Sequence, residues 1–163
     1  MKTLITLIGF IFAAASPLMA QRLTVLPEKA PAAAEMRLWA GSGMQGYLRH
    51  VTISGNLLLV EERTSRKTRM KKKSATISEE DRMILYQTFV ANKFDLTEIA
   101  ANEITVYDAP AQSIFISAER ESYDILNGAG SPLAGANLKS FKNIEAAFEK
   151  IVAAYQGQMK TVK

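Results

Sequence analysis

The early part of the chain contains three predicted strands, and apolar and polar residues alternate with a period of two within the first two of them, which is the pattern of half-buried strands. These predicted strands span 36–40, 47–54 and 57–63. The last two are separated only by Gly55-Asn56, whose residue types tolerate the positive φ angles of a two-residue hairpin turn. So short a turn fixes the register, and it places Arg49 opposite Glu62 and His50 opposite Glu61. Opposite charges that face each other across two strands stabilise the pairing by about 0.2–1 kcal/mol per pair.

Spacings of three and four residues between apolar positions predict two helices. The first begins after Ser78, a good N-cap, with Asp81 three residues later as a weaker form of the capping box, and it ends near Asn92. Its predicted buried stripe consists of Ile84, Leu85, Thr88 and Phe89. The second helix is predicted to begin at the cap Asn137 and to end before Gly157. Its apolar stripe contains Leu138, Phe141, Ile144, Phe148, Ile151, Val152 and Tyr155.

Three further strands are predicted between the two helices, at 104–107, 113–117 and 123–126. The order of elements is therefore β-β-β-α-β-β-β-α, and the hairpin-length connections imply antiparallel pairing. We expect an α+β domain in which an antiparallel sheet of about six strands carries both helices on one face. Segment 64–75 is predicted to be a polar, basic loop.

The first twenty residues have the layout of a secretory signal peptide. Lys2 precedes an apolar run at 4–15, Ser16-Pro17 interrupts that run, and Ala20 supplies the small residue that a signal peptidase prefers. The run is shorter than the roughly 20 apolar residues that span a bilayer, and no later segment is long and apolar enough to do so. We therefore predict cleavage after Ala20 and a periplasmic or secreted protein.

The remaining chain is expected to consist of a linker, one domain and a tail. Residues 21–35 contain Pro27 and Pro31 and show no sustained hydrophobic period, which favours a flexible linker. Residues 36–157 hold the predicted strands and helices in a single domain. Residues 158–163 are expected to fray, as chain termini commonly do.

The composition excludes several kinds of active site. The 163 residues include no cysteine and one histidine, which rules out disulfides, thiol catalysis, zinc-thiolate sites and any site with two imidazoles. That histidine, His50, lies in a predicted strand, and no Gly-x-Ser-x-Gly or Ser-x-x-Lys motif accompanies it. The predicted helix start and the hairpin register give the carboxylates structural roles, so they do not indicate an acid/base pair. The sequence indicates neither a bound metal nor a cofactor. We expect a protein that is not an enzyme, with a hydrolase that uses paired carboxylates as the least favoured alternative.

A cluster of positive charge is the most unusual feature of the sequence. Seven of the eleven residues from 63 to 73 are basic, namely Arg63, Arg66, Lys67, Arg69, Lys71, Lys72 and Lys73. The whole chain has a net charge of only +4, so this charge is local. One interpretation is a solvated loop, and the other is a patch for an anionic envelope surface or an acidic protein partner. Nucleic acid is not expected, because the segment lacks interleaved aromatic residues for base stacking and the protein is predicted to be exported.

A second candidate surface surrounds the glycine-rich turn at 41–46. Trp39 and Tyr47 flank this turn, and tryptophan is frequent in binding hot spots, although a partly buried strand residue is the alternative. The order of strand, glycine turn, strand and Ser-Glu-Glu helix resembles that of the emfourin type, small bacterial inhibitors of thermolysin-like metalloproteases. The resemblance covers only the arrangement of the elements and a few turn residues. The sequence thus predicts a non-enzymatic binding protein, with a protease inhibitor as the alternative function.

Overall fold

Residues 26–42, 46–97, 110–128 and 132–162 are described by the computed structural model. Their strands are β1 Glu35–Ser42, β2 Tyr47–Ser54, β3 Leu57–Arg63, β4 Lys71–Thr76, β5 Ala111–Ala118, β6 Glu121–Gly128 and β7 Lys160–Thr161. Their helices are α1 Glu79–Ala91 and α2 Gly135–Tyr155, each followed by a short 3₁₀ turn, at Phe94–Leu96 and Gln156–Gln158. Across these ranges the strands form one antiparallel sheet in the order β6-β5-β1-β2-β3-β4-β7. The predicted α+β class is therefore confirmed.

The hairpin of β2 and β3 has the predicted register. Arg49 pairs with Glu62, and His50 pairs with Glu61. Gly55 in the two-residue turn has a φ of +52°, a conformation that a residue without a Cβ adopts at little cost. The register follows from the turn length alone, which is why local sequence predicts it.

The hydrophobic core lies between one face of the sheet and the two helices. Six strands contribute buried apolar side chains to that face: Met36, Leu38, Val51, Ile53, Leu58, Val60, Ala75, Ile114, Ile116, Ala118 and Ile125. Phe89 of α1 meets Phe148 of α2 edge to face, with ring centroids 6.1 Å apart, so both helices cover this face. On the opposite face Arg37 lies 3.8 Å from the centroid of the Phe115 ring, and Trp39 is half-buried.

The segment before β1 packs on α1 and differs from the flexible linker that its prolines suggest. Leu26 is buried in the core. The Tyr86 hydroxyl donates a hydrogen bond of 2.8 Å to the carbonyl of Pro27, and Arg82 Nη1 donates one of 2.9 Å to the carbonyl of Pro31. Long-range contacts with α1 therefore order a stretch that has no secondary-structure pattern of its own.

The predicted buried stripe of α1 is partly wrong. Ile84 is 54% exposed and Thr88 is half-buried. The buried residues of α1 are Arg82, Leu85, Tyr86 and Phe89. The segment at 26–34 covers the side of the helix that carries Arg82 and Tyr86, and a hydrophobic period read along the helix cannot reveal that contact.

Three further predicted boundaries are also wrong. The second half of the predicted basic loop is strand β4, in which only Ala75 is buried, so alternation gives no signal there. Its strand conformation comes from main-chain pairing with β3. The expected fraying tail contains β7, which pairs with β4. Helix α2 begins at Gly135, after Ala134 as its N-cap, and includes Asn137.

The predicted signal peptide and the predicted strand at 104–107 lie outside the described residues. Within the described ranges, no helix combines the length and apolar character that crossing a bilayer requires.

Candidate functional site

The basic segment lies on an ordered hairpin between β3 and β4. A turn stabilised by Thr68 closes the hairpin: its hydroxyl donates a 2.9 Å hydrogen bond to the carbonyl of Ser65 and accepts one of 3.0 Å from the Ser65 amide. The Thr68 amide donates to the same carbonyl at 3.1 Å. The side-chain bonds resemble those of other Ser/Thr turns, in which a hydroxyl replaces a main-chain partner. The cations are therefore held on a defined turn and on strand β4.

The hairpin packs against the neighbouring turn between β1 and β2. Arg63 Nε donates a 3.2 Å hydrogen bond to the carbonyl of Gly46. Gly46 has a φ of +67°, and a Cβ placed on it would lie 2.2 Å from Cγ of Arg66 and 2.4 Å from the Arg66 main-chain nitrogen. Only glycine fits so close an approach in this backbone conformation. The two turns therefore pack together at one end of the sheet.

Lys72 is the member of the cluster that the fold neutralises. Its Nζ lies 2.5 Å from Oε1 of Glu61, and Oε2 of Glu61 lies 3.6 Å from Nδ1 of His50. Lys72 and Glu61 are opposite each other in the pairing of β4 with β3, so they share a face of the sheet. This pair gives Lys72 a structural role.

Four other cations of the cluster form no ion pair with a carboxylate of the described chain: Lys67, Arg69, Lys71 and Lys73. All four side chains are exposed. Lys71 and Lys73 lie on the helix-covered side of β4, whereas Lys72 lies on the opposite side, because successive strand residues alternate. Lys71 and Lys73 thus place positive charge on the helix-covered side of β4, while Glu61 neutralises Lys72 on the other side.

A groove of about 920 Å³ runs beside these cations. Its lining residues are Arg69, Met70, Lys71, Lys72, Lys73, Thr161 and Val162. Thr161 belongs to β7, and Val162, the next residue, is 40% exposed. The sequence pattern does not predict that the end of the chain contributes to this groove, because the contact between β7 and β4 is long-range.

The structure does not bring Trp39 into the basic groove. Trp39 lies on the open face of β1, opposite His50 and Ser113, and its indole covers Gly41, where an added Cβ would be 2.7 Å from Cζ2. Two strands separate β1 from β4, which at about 4.8 Å per strand is a distance of roughly 14 Å. Trp39 is therefore half-buried against Gly41, as a partly buried strand residue would be.

Tyr47 borders a different groove, of about 490 Å³, at the end of the sheet. Its lining residues are Ala40, Gly41, Ser42, Tyr47, Pro110, Ala111, Gln112, Asn127, Gly128 and Pro132. Burial raises the pKa of the Tyr47 hydroxyl above its usual range. The predicted site residues therefore fall into separate surfaces.

Carboxylates near the hairpin are used in the structure of the domain. Arg49 joins Glu62 of the sheet to Glu149 of α2, with Nε 3.0 Å from Glu62 Oε1 and Nη1 2.6 Å from Glu149 Oε1. The contact with Glu149 crosses a hundred residues and has no local signal in the sequence. Among the described residues, no group of three His, Asp or Glu side chains is placed to hold a metal ion.

Comparison with known proteins does not identify a family for this chain. The sequence matches neither a protein-family model nor a curated protein. The geometry of the basic hairpin is therefore the basis for assigning a function.

Proposed function

We propose that the protein is a non-enzymatic binding protein that holds an anionic partner on its basic hairpin. The observation that carries this proposal is a set of four exposed cations that form no ion pair within the described residues, namely Lys67, Arg69, Lys71 and Lys73. A fold that needed these charges would pair them, as it pairs Lys72 with Glu61. Their unbalanced field attracts anions, and an ordered hairpin reduces the entropy lost when a partner binds.

The proposal includes export, with the partner located in the cell envelope or outside the cell. The layout of residues 1–20 supports cleavage after Ala20. Mass spectrometry of the periplasmic fraction should find a mature chain that begins at Gln21. A full-length chain that begins at Met1 in the cytoplasm would contradict export.

Retention on an immobilised polyanion tests the binding function. The wild-type protein should bind a heparin column at low salt and elute as salt rises, because the Debye length falls from about 10 Å at 0.1 M to about 3 Å at 1 M. A hairpin variant with glutamine at positions 67, 69, 71 and 73 should elute at much lower salt.

A charge-matched control separates the hairpin from net charge. The exposed cations Lys29, Arg120, Lys139 and Lys150 lie elsewhere on the described surface, and their replacement by glutamine removes the same charge. The control variant should elute close to the wild type. Equal loss of retention in both variants would show that only net charge matters, and the proposed site would be wrong.

A further inference from the structure

We propose that the partner of the basic hairpin is an extended, carboxylate-rich peptide that pairs with the outer edge of β4 as an added strand and displaces β7. The outer edge is the side of β4 that faces away from β3. This inference rests on the proposed anion-binding function and names the class of its partner.

The outer edge of β4 already accepts a strand. The amide of Val162 donates a 2.9 Å hydrogen bond to the carbonyl of Lys72, so the main-chain groups of Lys72 point outward. Because these groups alternate along a strand, those of Ser74 and Thr76 point outward too. Yet β7 pairs with β4 at only two positions, Lys73 with Thr161 and Ser74 with Lys160. The strand that occupies this edge is much shorter than β4.

The charge of β7 does not match the edge that it covers. β7 places Thr161 opposite Lys73 and Lys160 opposite Ser74, so it brings no negative charge to the three lysines of β4. Opposite charges directly across two strands stabilise their pairing, and β7 supplies none. A lysine-rich edge also repels a second copy of itself, which disfavours self-association through this edge. An acidic strand is the occupant that the charges favour.

The spacing of the free lysines fits such a strand. Lys71 and Lys73 are two residues apart on one side of β4, so their positions are separated by about 6.8 Å. Acidic residues at every second position of an extended peptide repeat at the same distance. They can therefore face Lys71 and Lys73 while the peptide main chain bonds to β4.

Space for a longer strand exists at both ends of β7. The groove of about 920 Å³ at Arg69 and Val162 lies on one side. A second hollow of about 610 Å³ lies on the other, lined by Leu57, Ser74, Ala75, Thr76, Gly157, Gln158, Met159 and Lys160. Both hollows lie along the outer edge of β4, which suits a strand paired at that edge better than a flat membrane surface.

Labelled peptides of equal charge test this arrangement by fluorescence anisotropy. The probes are (Thr-Glu)4, which can pair as a strand, and (Pro-Glu)4, which has the same charge but lacks half of its main-chain donors. We expect (Thr-Glu)4 to bind the wild-type protein at least about tenfold more tightly than (Pro-Glu)4, and (Thr-Lys)4 not to bind. Equal affinity for the two acidic peptides would overturn the inference.

Protein variants identify the edge. Deletion of 160–163, which removes β7 and leaves Met159 in its core contact, should tighten binding of (Thr-Glu)4 by several fold. The double substitution Lys71→Gln and Lys73→Gln should weaken it about tenfold, whereas Lys139→Gln with Lys150→Gln should leave it unchanged. Ser74→Pro should also weaken it, because proline at 74 removes an outward donor and keeps the charge. If Ser74→Pro does not fold, the comparison of (Thr-Glu)4 with (Pro-Glu)4 still tests whether the peptide binds as an added strand.

The outcomes distinguish this inference from the proposed function. Binding that depends on Lys71 and Lys73 but not on peptide strand formation would support a general anion site and overturn strand addition. Vesicles of anionic phospholipid that bind the protein while (Thr-Glu)4 does not would also overturn it, in favour of a membrane surface. If the wild-type protein also fails to bind a heparin column at low salt, the proposed function itself is wrong.

Discussion

The start of α1 and the β3–β4 hairpin are both dense in charge, but the fold treats the two regions differently. Arg82 of α1 is 3% exposed, and its guanidinium bonds to Glu79 through Nε at 2.9 Å and through Nη2 at 2.5 Å. Its Nη1 reaches the carbonyl of Pro31. In the hairpin, by contrast, Lys67 and Arg69 are exposed and form no ion pair in the described chain.

The comparison shows that burial determines which charges the fold must satisfy. A buried charge without partners is costly, so Arg82 needs a carboxylate and a carbonyl to be compatible with the core. An exposed cation is hydrated and costs the fold little when it stays unpaired. The hairpin charges are therefore available to a ligand, whereas the charge of Arg82 is committed to holding the 26–34 segment against α1.

Substitution of Arg82 should produce the larger effect on stability. Arg82→Gln breaks the ion pair with the exposed Glu79 and leaves the partly buried Pro31 carbonyl without its donor, and an unsatisfied buried polar group costs about 1–3 kcal/mol. The matched substitution Arg69→Gln in the hairpin should change the free energy of unfolding by less than about 0.5 kcal/mol. Urea denaturation of both variants and the wild type measures the difference. Equal losses would mean that the hairpin charges also stabilise the fold.

Local signals account for the parts of the fold that the sequence predicts correctly. The two-residue turn at Gly55-Asn56 fixes the β2–β3 register, and Ser78 caps α1, where its hydroxyl accepts a 3.0 Å hydrogen bond from the Asp81 amide. The stripe of α2 is also periodic enough to identify Phe141, Ile144, Phe148 and Ile151, all of which are buried. These features depend on residues that are close in the sequence.

Long-range contacts account for the features that the sequence pattern misses. β4 has no apolar alternation, since its first three residues are lysines and pairing with β3 makes it a strand. Arg82 is buried only because the 26–34 segment covers it. In the candidate site, the sequence identifies the basic residues, but it cannot show which lysine meets Glu61. That depends on the face of β4 to which each side chain points.

A half-buried charge, that of Asp81, provides an intermediate case. Asp81 Oδ2 accepts hydrogen bonds from the Tyr155 hydroxyl at 2.6 Å and from the Ser78 hydroxyl at 2.7 Å, so it connects the start of α1 to the end of α2. The bond from Tyr155, and then that from Ser78, lowers the pKa of the Asp81 carboxyl below its usual range. Asp81 should therefore matter to stability less than Arg82 and more than the hairpin cations.

The pH dependence of unfolding tests this intermediate position. Because the pKa of Asp81 is lower in the folded state, its contribution is fully present above the unfolded value of about 3.9 and is lost as pH falls through the folded value. At pH 7, Asp81→Asn should cost about 1 kcal/mol, the usual net value of a hydrogen bond. The gap between wild type and variant in urea denaturation should shrink as pH falls from 5 to about 2. Glu80→Gln, which removes a neighbouring exposed carboxylate, should show little cost at either pH, and a gap for Asp81→Asn that widens in acid would contradict the assigned bonds.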